Sequence, residues 1–457
     1  MQNYFVKDIV AATGGTLLCG DPDTKVSAIS IDSRDTGNET LFVPIIGERV
    51  DAHKFMEEVD AAGIAAMLTS EHDSYESRTA VIRVTDTVRA LQAIGLDYGA
   101  RLGIPKIGVT GSVGKTTTKE MIACALSAGY RVFKTPGNSN GQVGVPITLS
   151  KIESEDEIAV VEMGISMPGE MSKLSTLLTL DTAVATNIGV SHIENLGSQD
   201  GICREKFHIQ DALNPAGVMF LNGDDEVMRR NLSCIDHKIM FYGFEENNDY
   251  RAVDINCHED GSEFTLMTPD KRTYPARINV PGVHNIRNAL VAIAVACRYR
   301  ISVEAALEAL LEYRGTAGRQ DRFTINGIKV IDDSYNASPD SMKAGLDVLN
   351  NTETKGRKIA VLADMLELGS DSPRYHYEVG EYIKSLKLDE ILLFGELAAN
   401  IGKGAADAGI KIQNMADREE INAYLAVNLR PEDAVLFKGS RGMKLDECVK
   451  FLKEINA

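Results

Sequence analysis

The segment GVTGSVGKTTTKEM (108–121) brings glycines, hydroxyls and a lysine together directly after the apolar run KIGVT. Met121, Ile122, Ala125 and Leu126 then recur at helical spacing. Glycines let successive backbone N–H groups turn inward on phosphate oxygens, and the following helix adds the positive end of its dipole. Thr110, Gly111, Ser112, Val113, Gly114 and Thr117 would cradle a nucleotide's phosphates, Lys115 would reach between the terminal ones, and Thr116 would hold Mg2+. The spacing is not the standard GxxxxGK[ST], since Val109 stands where that pattern has glycine; the match is TGxxGKTT. The alternative is a Gly-rich structural turn. No NKxD-like guanine-reading segment follows, which speaks against a GTPase switch and leaves a synthetase or kinase.

Acids and bases around such a loop decide its chemistry. Glu162 ends the run EIAVVE; a carboxylate at the carboxyl end of a parallel strand faces the ligand crevice and is a hard ligand suited to Mg2+, although an acid there can simply cap a turn. His192 follows DTAVATNIG, again at a strand's carboxyl edge, but a lone histidine is usually structural and is no typical Mg2+ ligand. Asn285 and Asn288 stand three apart at a helix start and share a face, where an asparagine is often only a cap. Arg319 in GRQDR carries a planar fork of donors that fits phosphate, or an interdomain salt bridge. Ser33 and Arg34 of IDSRDTG, with Gly47, Glu48 and Arg49 after LFVPIIG, suit a diphosphate and are equally ordinary turn sequences.

The elements that must position these groups fall into three series. Residues 25–31, 41–47, 64–70 and 80–84 are short β-rich runs between polar turns and indicate a small α/β domain. Val88, Leu91, Ile94, Tyr98 and Leu102 predict a helix capped at Thr85, ending near Gly103 and leading into a second domain. There, near-continuous apolar strands at 106–110, 157–164, 181–189 and 217–225 indicate a parallel sheet covered on both faces. VDINCH and FTLMT flank the turn EDGS as an antiparallel hairpin, and a helix follows over 285–300. From Arg314 the runs IKVIDDS, KIAVLADM, EILLFGE and AVLFKGSRG predict a third, doubly wound domain. Gly315 and Gly318 give the junction the backbone freedom of a hinge.

The 457 residues are ample for about three domains, with 44% hydrophobic and 25% charged residues excluding disorder. A net charge of −18 leaves no basic field for nucleic acid or an anionic membrane, so an acidic ligand needs a local basic pocket. Seven dispersed cysteines without a CxxC pair fit neither a zinc site nor a disulfide scaffold and point to the reducing cytoplasm. No apolar run reaches the ~18 residues of a membrane span.

Taken together, TGSVGKTT, VVEMG, TNIGVSHIENLGS, HNIRNAL (284–290), GRQDR (318–322) and KGSRG (438–442) resemble, in order and spacing, the Mur ligases, ATP-dependent amide-forming enzymes of peptidoglycan precursor synthesis. Within the family, NSNGQVGVPITL (138–149), DDSYNASPDSM (332–342) and LADMLELG (362–369) most resemble the branch that adds D-alanyl-D-alanine to UDP-N-acetylmuramoyl-tripeptide, with Ala363 where glycine is expected. The resemblance implies a three-domain α/β fold: a UDP-muramoyl domain (1–84), a central parallel-sheet ATP domain (85–313) and a Rossmann-like C-terminal domain (314–457). It implies ATP and Mg2+ as cofactors, with Lys115, His192 and Lys206 catalytic and Thr116, Glu162, His192 and a carbamylated Lys206 around the metal. Asn288, supported by Asn285, would meet the adenine, Arg319 the phosphates and Asp333 the ribose. Ser33, Arg34, Gly47, Glu48 and Arg49 would take the uridine diphosphate. Asn138, Tyr335, Asn336, Asp364, Lys438, Ser440 and Arg441 would bind the tripeptide and the incoming dipeptide. A cytoplasmic monomer that binds no nucleic acid and does not enter a membrane is expected. The rivals are a ligase of the same fold adding a single lysine or diaminopimelate, and a module that hydrolyses ATP without making an amide.

Overall fold

The computed structural model describes residues 1–47 and 49–455. Its first sheet is built from β1 (Thr16–Cys19), β2 (Ala28–Ser30), β3 (Thr40–Phe42), β4 (Ala66–Thr69) and β5 (Ala80–Arg83) in the order β1-β5-β4-β3-β2. Only β1 is antiparallel to its neighbour. β1 and the helix Val6–Thr13 escape sequence reading because the strand is a four-residue edge, too short to show a period.

The second sheet contains β6 (Lys106–Thr110), β7 (Val132–Lys134), β8 (Ile158–Glu162), β9 (Leu180–Ala185), β10 (Leu213–Asn222), β11 (Lys238–Gly243), β12 (Tyr250–His258), β13 (Gly261–Met267) and β14 (Thr273–Ile278). Their order, β14-β13-β12-β11-β10-β9-β6-β8-β7, puts the phosphate-loop strand β6 between β8 and β9, parallel to both. The expected hairpin is β12 and β13, but it does not stand apart: β12 pairs in parallel with β11, and β14 adds a third antiparallel strand. Two apolar cores cover this sheet, one centred on the helix Val283–Arg298, whose residues Ala289 to Ala296 are all buried.

The third sheet comprises β15 (Asp321–Ile325), β16 (Ile328–Asp333), β17 (Lys358–Ala363), β18 (Glu390–Phe394), β19 (Lys411–Met415) and β20 (Ala434–Lys438). Its order β15-β16-β20-β17-β18-β19 is parallel except at the β15 edge, with apolar cores on both faces. The α/β expectation, with a parallel-sheet middle flanked by two α/β units, agrees with this architecture. Among the described residues no helix is long and apolar enough to cross a membrane, and all seven cysteines are free thiols.

The helix Thr87–Arg101 is capped by Asp86, whose Oδ1 accepts from the Val88 and Arg89 amides, not by Thr85 as expected; the extended backbone at Asp86 (φ −154°, ψ 120°) makes it the residue whose side chain reaches those amides. Its Ala90, Leu91, Ile94 and Tyr98 enter the core of the first sheet. Gly95 faces Pro146 at the start of the helix Gly144–Ser150, so one helix ties the first layer to the second. A Cβ at Gly95 would lie 2.8 Å from Pro146 Cα and Cβ. Helix propensity alone would make Gly95→Ala stabilising by about 1 kcal/mol, whereas overpacking costs about 1–3 kcal/mol. The contact involves backbone and a rigid ring that cannot turn away, so the steric effect wins. Gly95→Ala is expected to lower the free energy of unfolding by a net amount on the order of 1 kcal/mol, read as a lower urea midpoint; an unchanged or raised midpoint would show that the two helices separate freely.

Candidate active site

The phosphate loop is shaped by its glycines and then tied down. Gly111 has φ +148° and Gly114 +81°, the latter preceding the helix Lys115–Leu126. A Cβ on Gly111 would fall 1.9 Å from Thr186 Oγ1, so no other residue fits. Thr186 and Asn187, just beyond β9, clamp the loop from the side. Asn187 accepts from Ser112 N through its carbonyl (2.9 Å) and from Val113 N through Oδ1 (2.8 Å), and Thr186 Oγ1 donates to Val113 O (2.5 Å). These two residues lie inside the TNIGVSH segment, but no period or motif marked them as a clamp. The first amides of the helix remain directed at the loop's concavity, as an anion requires. Thr110 Oγ1 and Ser112 Oγ are buried without a hydrogen-bond partner, an arrangement suited to a ligand oxygen.

Lys115 lies back across the loop, donating to Gly111 O (2.8 Å) and Ser112 O (3.4 Å). Burial lowers its hold on its proton; Glu162 opposes this and Arg319, from the third domain, adds to it. Glu162 itself is buried at the end of β8, paired in register with Val109 of β6 as the parallel order requires. Its Oε2 accepts from Thr116 Oγ1 (2.8 Å) and its Oε1 from Asn140 Nδ2 (2.8 Å). Lys119, fully buried, stands 3.8 Å behind it and donates to Thr135 O and Gly137 O. Lys119 and Asn140 were not singled out by sequence reading; the only signal was their place within the GKTTTKEM and NSNGQ segments.

Hard oxygens of Thr116 and Glu162 side by side fit Mg2+, which takes few protein ligands and fills its shell with phosphate and water. No group of three or more His, Cys, Asp or Glu residues among the described residues forms a fuller cage. His192 lines the same cavity, and Lys206 is buried in the helix Gln199–Phe207. Burial, reinforced by Lys115, pushes the Lys206 ammonium well below its ordinary range, so this amine gives up its proton more readily than an exposed lysine.

A cavity of about 800 Å³ opens from this loop onto the third domain. It is lined on one side by Ser112 to Lys115, Thr117, Asn138 and Asn288 and on the other by Arg319, Asp333, Tyr335 and Asn336. Asn288 Oδ1 accepts from Thr118 Oγ1 (3.1 Å), which holds its amide beside the loop, and Asn285 is buried and donates to Pro281 O (2.8 Å). Arg319 stacks 4.1 Å over the Tyr335 ring. Lys438, expected to touch substrate, is buried and donates to Asp333 Oδ2 (2.6 Å) and Asn336 O (3.1 Å). It therefore organises Asp333, whose carboxyl burial pushes up and Lys438 pulls back down. Ser440 accepts from Leu366 N and Asp364 from Ala398 N, so both secure loops outside the cavity lining. Arg441, also outside it, pairs with Asp446 and reaches the Tyr335 ring at 5.7 Å.

The first-domain set is not brought to this cavity. Ser33 and Arg34 follow β2, and Gly47 and Arg49 follow the adjacent parallel strand β3, so the two loops share one sheet edge. Arg34 pairs with Asp32, Gly47 N donates to Val50 O, and Arg49 is exposed. Glu48 lies outside the described residues.

Comparison with known proteins gives a consistent picture. The family description "Mur ligase middle domain" matches residues 109–296, and "Mur ligase, glutamate ligase domain" matches 318–441. The chain is 39% identical over 454 residues to the UDP-N-acetylmuramoyl-tripeptide--D-alanyl-D-alanine ligase of Bacillus subtilis (strain 168), covering 98% of both chains. It is 31% identical to the ligase of the same description from Escherichia coli (strain K12), covering 94% and 95%. Among solved structures, a crystal structure of MurF from Acinetobacter baumannii superposes with a TM-score of 0.90 at 30% identity, covering 99% of each chain. MurF ligase from Thermotoga maritima in complex with ADP gives 0.83 at 27% identity, covering 94% and 97%.

His284, at the start of the helix Val283–Arg298, contacts Gln320 Oε1 through Nε2 at 2.9 Å. Burial lowers its pKa to about 4, Gln320 opposing the shift and Arg287 and Lys438 adding to it. Between pH 6.5, where the unfolded histidine titrates, and about 4 the unfolded chain binds the extra proton, so stability falls as pH drops through this window. The ring borders the cavity, which moderates the effect to about 2 kcal/mol. His284→Gln is expected to flatten the pH 4–6.5 part of the stability profile measured by denaturant unfolding; a variant with the wild-type slope would place the acid sensitivity elsewhere.

Proposed function

This chain belongs to the Mur ligases, and from that premise we propose that it joins D-alanyl-D-alanine to UDP-N-acetylmuramoyl-tripeptide with ATP, in peptidoglycan precursor synthesis. The observation that carries the reading is the phosphate loop facing the Arg319 and Asp333 side of the third domain across one cavity, in a chain alike over its whole length to ligases of that description. ATP is the nucleotide, and the tripeptide carboxylate attacks its γ-phosphorus to give an acyl phosphate and ADP. The dipeptide amine then attacks the acyl carbon, and phosphate leaves from the tetrahedral intermediate.

Each step brings anions together, so catalysis here is positioning and charge stabilisation. Lys115 exchanges the loop carbonyls of Gly111 and Ser112 for phosphate oxygens, and the helix N-terminus behind it holds the same anion. Arg319, held flat over Tyr335, offers a fork of donors to the nucleotide from the other wall. Asp333, fixed by Lys438, presents a carboxylate edge for a ribose hydroxyl, and Asn288 flanks the loop for the adenine. Thr116 and Glu162, with His192, would hold Mg2+, which when bound spreads the charge of the transferring phosphoryl group. The buried amine of Lys206 loses its proton more readily than an exposed lysine, and once neutral it can attack CO2, giving a carbamate anion and releasing a proton. Asn138 and Asn336 at the cavity serve the peptide substrates, and the Ser33 and Gly47 loops of the first domain serve the uridine diphosphate. Gly315, at φ +108° with no neighbour within 4 Å of a Cβ, leaves the junction free to rotate as the third domain closes.

Mass spectrometry after incubation with ATP, UDP-N-acetylmuramoyl-tripeptide and D-alanyl-D-alanine is expected to show the pentapeptide product together with ADP and phosphate. Lys115→Ala should remove at least about 100-fold of that turnover with unfolding unchanged. Addition of free lysine or diaminopimelate instead, or phosphate release needing no amine, would overturn the assignment.

Removing dissolved CO2 at mildly acid pH is expected to depress turnover, and bicarbonate to restore it, with Lys206→Ala unresponsive. Indifference to CO2 together with an unimpaired Lys206→Ala enzyme would rule out the carbamate.

A further inference from the structure

The segment 186–194 touches both halves of the cavity. Its first residues, Thr186 and Asn187, clamp the phosphate loop. Its later residues dock on the third domain: a Cβ at Gly189 would meet Asp340 Oδ2 at 2.8 Å, Val190 packs against a third-domain apolar core, and Glu194 lies 3.5 Å from the Cβ position of Gly369. Between them His192 Nδ1 lies 2.6 Å from Glu367 Oε2.

Glu367 is the charged residue that LADMLELG sends to this junction, and the loop carrying it is stiff. Met365 and Leu368 on either side are buried plugs. Met365 N donates to His376 Nε2 (2.9 Å), whose Nδ1 in turn meets Ser372 O (2.7 Å), and Leu366 N donates to Ser440 Oγ (2.9 Å). Glu367 has φ +62°, in the left-handed region that side chains other than Asn, Asp and His rarely adopt, and His192 has the same φ. Two such residues meeting carboxylate to imidazole mark a contact that the surrounding structure enforces.

We propose that Glu367 is an interdomain positioning residue: seating of the third domain puts its carboxylate on His192 Nδ1, fixing the Nδ1–H tautomer and the ring's orientation. The strut 186–194 carries the same docking to the phosphate loop. This rests on the proposed place of His192 beside the nucleotide. A carboxylate behind an imidazole sets which nitrogen keeps its lone pair, here Nε2, and stops the ring from turning. At present the contact is short but bent, so Nδ1 makes no hydrogen bond; such contacts align when ligands seat.

The test uses full-length protein labelled with 15N-histidine, the His192 signal being assigned by its loss in His192→Gln. With a nonhydrolysable ATP analogue, Mg2+ and UDP-N-acetylmuramoyl-tripeptide, the wild type is expected to show a neutral Nδ1–H His192, and Glu367→Ala a mixed or Nε2–H ring. Glu367→Ala should lower kcat about 10–100-fold with ATP affinity in calorimetry nearly unchanged, and Glu367→Asp should recover part of both signals. An unchanged tautomer in Glu367→Ala, or an unchanged kcat with an altered tautomer, overturns the proposal. The resonance is read without turnover, so a wild-type enzyme that makes no pentapeptide would strike the functional reading while leaving the Glu367–His192 contact separately decided.

Discussion

The tie between the end of β9 and the phosphate loop is the constraint on which the cleft depends. A loop of consecutive small residues has no shape of its own, because glycine lets the backbone wander as readily as it lets it turn. Asn187 takes two of its amides and Thr186 takes the Val113 carbonyl, so the remaining N–H groups are aimed before any ligand arrives. The parallel order β8-β6-β9 makes this possible by delivering Glu162, the loop and the clamp to the same sheet edge. Preorganisation of this kind means that donors do not have to be reoriented during reaction.

From that edge the charges are arranged in opposed pairs. Glu162 is buried among donors: Thr116, Asn140 and Lys119. Asp333 is buried against Lys438. Removing one partner from either set would leave a charge without compensation in a low-dielectric place, which costs far more than the intact pair contributes. The two sets lie on opposite walls of the cavity, and the walls meet at the junction near Gly315, at the docking strip 189–194, at His284 with Gln320, and at Glu259 between β12 and β13, which pairs with Lys329 and accepts from Glu353 N. Both sets therefore face one cavity, where a single ligand can meet them together.

Much of this was legible in the sequence where a residue type leaves a local imprint. The phosphate loop shows in its glycines and lysine, β6, β8 and β9 in their unbroken apolar runs, and Glu162 in its place at the end of one of them. What could not be read depends on spatial neighbours far apart in the chain. Thr186 and Asn187 look like any polar residues after a strand until β9 is known to sit beside β6. Lys119 has no pattern of its own within GKTTTKEM, yet its helix face lies against β8 and the carbonyls of 135 and 137. Lys438 reads as a substrate cation, but β20 lies between β16 and β17 and delivers it to Asp333. The helix cap moved from Thr85 to Asp86 because a capping hydroxyl and a capping carboxylate one residue apart cannot be ranked without the backbone dihedrals.

The charge balance explains how a chain of net charge −18 can receive polyanions. Three of the cavity's cations already rest on acceptors: Lys115 on loop carbonyls, Arg319 on the Tyr335 face, Lys438 on Asp333. His284 is neutral at physiological pH, its pKa lying near 4, and the Lys206 ammonium is disfavoured by burial. These three cations are therefore compensated by the protein's own groups and do not stand as bare charges. A ligand phosphate replaces carbonyl or aromatic acceptors with a stronger anion, so the gain is the difference between acceptors and not a full desolvation of a bare ion. That difference is largest for Lys115 and Arg319, whose present partners carry no formal charge, and smallest for Lys438, whose partner does. Nucleotide phosphates should accordingly draw in the first two and leave Lys438 with Asp333, which keeps the third-domain wall intact while the other two cations gather the reacting groups.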